Sequence, residues 1–262
     1  MEKKYSVGKS IVKTTLITAL TALVAIVFVA LGFYVINPKL SAQICSNLGL
    51  KNFEVSCYEL VYARSKDDGD LYNLIVKLGN VNKPQKQTEY INKLQKSERY
   101  DTFCENLDNS IVETYKNNQI SAKNLVSLYG INEFITYTEI INYVKCGNLD
   151  KAYELALASK NTDKDYEISM FYYFDYLMTN DISAEQKTYY STMIKTEALE
   201  YLELKDSTIS FSNAAEQILY SYAKVKIKYS KYVLYKLTND ANENSAKTEW
   251  QTAVNEYNNL VR

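Results

Sequence analysis

The chain has 262 residues, of which 30 are basic and 31 acidic, giving a formal net charge of −1 with 7 Gly, 2 Pro and no His. The lack of His excludes imidazole-based triads, proton shuttles and His metal ligands. So few Gly and Pro argue against turn-rich β folds, which need both residues for special backbone angles.

The first element is the run TTLITALTALVAIVFVALGFYVI at 14–36, which holds no charged residue. It is long enough to cross the roughly 30 Å hydrocarbon core of a bilayer as a helix, and Asn37-Pro38 closes it. LSA, just before Gln43, resembles a small-residue cleavage site. A signal-peptide core is only about 7–15 residues, however, so a retained anchor is expected. Lys3, Lys4, Lys9 and Lys13 precede the run, while Lys39 and Lys51 are the nearest basic residues after it. This asymmetry predicts a cytoplasmic tail over 1–13, a transmembrane helix over 14–36 and an extracytoplasmic all-α domain over 37–262, placing the protein in the cell membrane. Residues 37–262 carry a net charge of −4, which gives no general attraction to nucleic acid. The expected partners are therefore the lipid bilayer and another protein. All four Cys (Cys45, Cys57, Cys104, Cys146) lie beyond the run. Two disulfides could form in any of three pairings, but buried free thiols are expected, and without a C-x-x-C pair a metal site is not.

Helical periodicity then continues along nearly the whole chain. A short helix fits KLSAQICSNLG, and FEVSCYELVYARS follows with Asn52 as its cap. DLYNLIVKLG reads as a helix from the capping residue Asp70 to Gly79, and Pro84 suits the first turn of the next. Phe103, Leu107, Ile111 and Tyr115 recur about one turn apart, and SAKNLVSLYG is a short helix ending in Gly. INEFITYTEIINYVKCG and DKAYELALASK form a helix hairpin, and DYEISMFYYFDYLMTN is aromatic enough to be buried. Ser183 and Gln186 have the spacing of a capping box. Two further helices close the chain, the last with Trp250, Val254, Tyr257 and Val261 on one stripe. TISFS at 208–212 is too short and isolated to be a strand. Short links make successive helices antiparallel neighbours. The expected fold class is all-α: a single transmembrane helix, then an array of helical hairpins arranged as an α-solenoid or an irregular bundle.

Tyr143, Gly147 and Ala152 in YVKCGNLDKAYELALAS follow the Tyr, Gly, Ala spacing of a tetratricopeptide repeat, and the stretch resembles that family over about one repeat. The resemblance implies that Gly147 takes a left-handed turn conformation and that Ala152 lets two helices approach closely. It departs from the pattern at Ala156, Lys164, Thr136, Glu139 and Ile140. An ordinary helix hairpin wants the same Gly and small residue.

No catalytic residue, cofactor site or metal site is expected. GKS at 8–10 lacks the first Gly and the preceding strand of a phosphate loop. SKDDGD at 65–70 and NDANEN at 239–244 fail the ligand slots of a calcium loop. The most pointed feature is the stretch from Ile218 to Asn239, which has no acidic residue. Lys224, Lys228 and Lys231 share one helix face there, opposite a stripe of Ile218, Tyr222, Val225, Tyr229 and Tyr232. Those lysines are a possible contact surface for anionic lipid or polymer, or simply a wet outer face. The expected function is a membrane-anchored, repeat-like scaffold or adaptor that binds another protein. The alternative is an anchored envelope enzyme or a module for anionic polymer or lipid.

Overall fold

The structure is a computed structural model of the whole chain. It describes the backbone of residues 2–158, 166–179, 182–206 and 213–262. Side chains at 2–11, 26–31, 166–169, 171–172, 196–197, 200–201 and 203–206 lie outside the described residues, as do TISFS at 208–212 and Lys164. Among the described residues the protein is all-helical, with thirteen helices and no strand. It divides into two compact units, Met1–Lys83 and Pro84–Arg262.

Unit 1 holds α1 (Glu2–Ile36), α2 (Pro38–Asn47), α3 (Lys51–Ser65) and α4 (Asp68–Gly79). Each packs on the next in chain order. α1 runs unbroken through the predicted tail and the predicted span. Among the described residues no helix is long and apolar enough to cross a membrane. The run 14–36 includes residues 26–31, whose side chains are not among them. α2 ends on Gly49, whose φ of 69° lets the Leu50 N–H reach Cys45 O at 2.8 Å and the Gly49 N–H reach Ser46 O at 3.0 Å. The chain turns so tightly there that α3 starts at Lys51, and the expected cap Asn52 lies inside the helix. α4 likewise starts before its expected cap. Asp67 accepts from the Gly69 and Asp70 N–H groups, which leaves Asp70 to pair with Lys39 at 3.1 Å. The buried Glu54 is matched by Lys77 at 2.8 Å, as a buried carboxylate requires, and that hydrogen bond holds the Lys77 ammonium above its ordinary pKa. Leu71, Leu74, Ile75 and Leu78 of α4 and Val55 and Val61 of α3 are buried, and the two helices pack on each other.

Unit 2 holds α5 (Pro84–Gln95), α6 (Tyr100–Lys116), α7 (Ala122–Leu128), α8 (Ile131–Lys145), α9 (Leu149–Ala158), α10 (Tyr166–Thr179), α11 (Ala184–Asp206), α12 (Ala214–Leu237) and α13 (Glu243–Leu260). A solenoid stacks each element on its neighbours alone. Here α12 packs on α6, α7, α10, α11 and α13, and α8 packs on α5, α6, α9 and α10. Packing among the described residues of unit 2 therefore reaches beyond neighbours in the chain. The described aromatics of the run, Tyr173, Phe174 and Tyr176, are buried as expected: Tyr173, Phe174 and Leu177 of α10 sit at the centre with Ile140, Ala152, Ala156, Ile194, Val233 and Leu234. A smaller cluster gathers Leu125, Ala215 and Ile218.

Among the described residues Asn takes the left-handed turn conformation as often as Gly, at three positions each. Asn118 (φ 57°) and Asn239 (φ 50°) occupy the same left-handed position after α6 and α12 that Gly49 and Gly147 occupy after α2 and α8. Asn tolerates that region better than other residues with a Cβ. At Ser183 the hydroxyl accepts from the Gln186 N–H at 3.2 Å, so the predicted cap forms.

The four Cys are free thiols. Cys57 and Cys104 are buried as expected, but Cys45 is half-buried and Cys146 is exposed. Cys146 departs from expectation because it caps α8 beside Gly147, in a run of exposed residues from Lys145 to Asn148.

Candidate functional site

α12 and α13 lie side by side and enclose a groove of about 350 Å³. Ala246 and Ala253 are buried, small enough to bring the two helices close. One side of the contact is aromatic. Tyr232 stacks on Trp250 at 5.5 Å between centroids, Tyr229 meets Trp250 at 5.1 Å, and Tyr222 meets Tyr257 at 5.4 Å. The other side is the groove, lined by Lys224, Lys228, Thr248, Glu249, Thr252 and Glu256, among others.

The predicted lysine face falls in this groove. Lys224 Nζ pairs with Glu256 at 3.0 Å, and Lys228 Nζ pairs with Glu249 at 3.0 Å. The Lys228 side chain is only 12% exposed. Lys231, one turn further on, is half-buried. α12 therefore turns two of the three lysines toward α13, where two carboxylates balance them. The reason is visible on α13: Glu249 and Glu256 recur seven apart, as a single helix face requires. The Thr248 and Thr252 hydroxyls donate to carbonyls of their own helix, Asn244 O and Thr248 O, both at 3.0 Å. The expected apolar stripe of α12 is only partly buried, with Ile218 and Tyr232 inside and Tyr222, Val225 and Tyr229 half-buried. Lys226, unremarked in the sequence, is 6% exposed, with its Nζ 4.4 Å from the Tyr222 ring centroid.

The repeat-packing residues lie elsewhere in unit 2. Gly147 has φ 76°. Its N–H reaches Val144 O at 2.9 Å, and the Asn148 N–H reaches Tyr143 O at 2.8 Å. Asn148 then caps α9 through the Lys151 N–H. Ala152 is fully buried and Tyr143 packs at the edge of the same cluster. A left-handed Gly and a buried Ala at these positions suit an ordinary helix hairpin as well.

Sequence reasoning missed a cluster of phenols around Asp175. Tyr229 donates to Asp175 Oδ1 at 3.2 Å. Burial, then the Asp175 charge, pushes the Tyr229 and Tyr137 hydroxyls up to about 12 and raises that of Tyr222. Asp175 is the only acidic residue from Ile168 to Asn180, and a lone carboxylate in an aromatic run was the available signal. A second phenol, Tyr190, donates to Asp150 Oδ1 at 2.6 Å, and that bond, then burial, raises it to about 12. Burial likewise pushes the thiols of Cys57 and Cys104 up, to about 11 and about 12. These shifts favour the neutral, hydrogen-bond-donating form of each group, the opposite of what activates a nucleophile. Burial raises the Glu139 carboxyl too, and Gln95 Nε2 donates to it at 3.3 Å. Among the described residues, no group of three or more His, Cys, Asp or Glu could hold a metal ion.

No family model matches this chain, and no curated protein or solved structure does. The reading of function therefore rests on the residues themselves.

Proposed function

We propose that the chain is a single-pass membrane protein, with residues 1–13 cytoplasmic, whose helical body acts outside the cytoplasm as an adaptor that binds another protein. The observation that carries this reading is α1. Every described side chain from Val12 to Ala25 is exposed, on all sides of the helix. Leu16, Ile17, Leu20, Leu23 and Val24 are between 45% and 69% exposed. Apolar surface left in water forgoes about 25 cal/mol per Å², so a lipid sheath is the favourable surrounding for such a helix. The polar groups agree with it. The Thr18 and Thr21 hydroxyls donate to Thr14 O and Ile17 O at 2.9 Å, so the helix satisfies them itself, as hydrocarbon demands.

The binding role is supported by an exposed pair on α11, Tyr189 and Met193, one turn apart. Tyr and Met are enriched where proteins meet. The irregular packing of unit 2 favours a bundle-type adaptor over a solenoid, with the α8–α9 hairpin as its most repeat-like part. The balanced Lys–Glu pairs of the groove weigh against the alternative of an anionic polymer or lipid module. Pairs whose carboxylates stay half exposed, as these do, are worth about 0–1 kcal/mol each, and their cancelling charges leave little net positive charge to offer.

Native Cys146 gives a direct test of the topology, because it is the exposed thiol. A membrane-impermeant maleimide should label intact cells, and Cys146→Ser should remove most of that labelling. Labelling that appears only after lysis would overturn the orientation. For the adaptor role, a photo-crosslinking residue at Tyr189 should capture one discrete protein in native membranes, whereas the same residue at exposed Glu185 should capture much less. Equal or absent crosslinking at the two positions would remove the adaptor reading.

A further inference from the structure

The large exposed apolar side chains are unevenly distributed. Among the described residues, fourteen of nineteen lie in the first 53 positions, and none lies between 54 and 83. Part of that set is α1. The rest is carried by α2 and the start of α3, and there the helix is inverted. α2 turns Ser41 and Ala42 inward, at 8% and 1% exposure, while Leu40, Ile44 and Leu48 face out at 39%, 44% and 66%. Leu50 and Phe53, on the turn that follows, are 44% and 65% exposed. A surface helix of a water-soluble body places its residues the other way round. Leu40, Ile44 and Leu48 recur every four residues, so they form one stripe.

The position of this stripe in the chain says what covers it. It begins four residues after Ile36, where the uncharged run ends. The last turn of α1 is fastened to the same body: Tyr34 Oη donates to Ser56 O at 3.1 Å, and Arg64 Nη2 donates to Val35 O at 2.6 Å. Phe53 is one helical turn from Ser56. The exposed Lys39 and Lys51 flank the stripe, where basic side chains suit the headgroup layer. We infer that the Leu40, Ile44, Leu48, Leu50 and Phe53 face of unit 1 rests in the lipid interface beside the point where α1 leaves the bilayer. The inference rests on the reading of α1 as a membrane span. The occupant is lipid acyl and headgroup surface, with the apolar side chains dipping just below the headgroups and α2 lying along the surface.

Full-length protein reconstituted into phosphatidylcholine vesicles tests both readings separately. The chain has one Trp, so Trp250→Phe gives a silent background in unit 2. Ile44→Trp then reports on the face and Leu23→Trp on the span. With lipid brominated near the glycerol end of its chains, Ile44→Trp should lose about half its emission, and lipid brominated near the chain ends should quench it much less. Leu23→Trp should be quenched by the deeply brominated lipid. Ile44→Trp unquenched by either lipid, with Leu23→Trp quenched, would overturn the docking face and keep the span. Blue-shifted but unquenched emission from Ile44→Trp would overturn it in favour of a covering protein surface. Leu23→Trp unquenched would sink the span, and the inference with it. Should Ile44→Trp disturb the fold by circular dichroism, Leu48→Trp, the most exposed position of the stripe, reports on the same face.

Discussion

Unit 2 is expected to lose stability between about pH 10 and pH 12 as its raised phenols ionise. Tyr137, Tyr190 and Tyr229 each have hydroxyls raised to about 12 in the folded chain, against about 10 for a free phenol. A raised folded value means that the native state keeps a proton that the unfolded state gives up. The stabilising contribution is fully present below pH 10 and is lost as pH rises toward 12. Each phenol removes up to about 1.4 kcal/mol per pH unit in that window. Solvent screening reduces that figure for these partly exposed phenols, and together they draw on the 5–15 kcal/mol that holds a typical domain together. Tyrosinate absorbance and far-ultraviolet circular dichroism should show a late group of phenols titrating together with the loss of helix. Tyr229→Phe, which cannot ionise, should move that transition to higher pH. If all phenols titrated near pH 10 with the helices intact, the Asp175 cluster would not be buried as described.

Ala152→Leu should destabilise unit 2 by about 1–3 kcal/mol, because a fully buried Ala has no space for three more carbons. That corresponds to a fall in melting temperature of roughly 2–4 °C for each kcal/mol in a unit of this size. Lys151, one position earlier, is exposed, so Lys151→Gln should stay within about ±0.5 kcal/mol. Thermal unfolding of the two variants side by side decides the matter. An unchanged midpoint for Ala152→Leu would mean that α9 does not pack through this residue, and the close helix approach would be lost as an explanation of the hairpin.

Most of the helices were legible in the sequence because their apolar residues recur at helical spacing and their ends carry Ser, Asp, Asn, Pro or Gly. The errors have local causes. Asp70 looked like a cap because three acids crowd that turn; Asp67 won because its carboxylate reaches two free N–H groups. Asn52 looked like a cap until the turn at Gly49 proved tight enough to start α3 sooner. The carboxylates opposite the lysines of α12 could not be read from that helix alone. Glu249 and Glu256 sit on α13, and only packing brings them to Lys228 and Lys224. The cluster at Asp175 was hidden for the same reason, since Tyr137, Tyr222 and Tyr229 come from two helices far apart in the chain. Pairings of this kind are tertiary, and helical periodicity does not encode them.

The two bonds that tie the last turn of α1 to α3 have a mechanical consequence. A helix joined to its body by a slack linker swivels freely and passes on no torque. Here Tyr34 and Arg64 clamp shaft to body. If the 23-residue run spans a bilayer as proposed, its length of about 34 Å makes it tilt to fit a core of roughly 30 Å. With the shaft clamped and the α2 face resting on the lipid surface, a change in bilayer thickness would lever unit 1 through an angle. Membrane thickness would then set the bearing of unit 1, in the way that the depth of a post sets the lean of its sign.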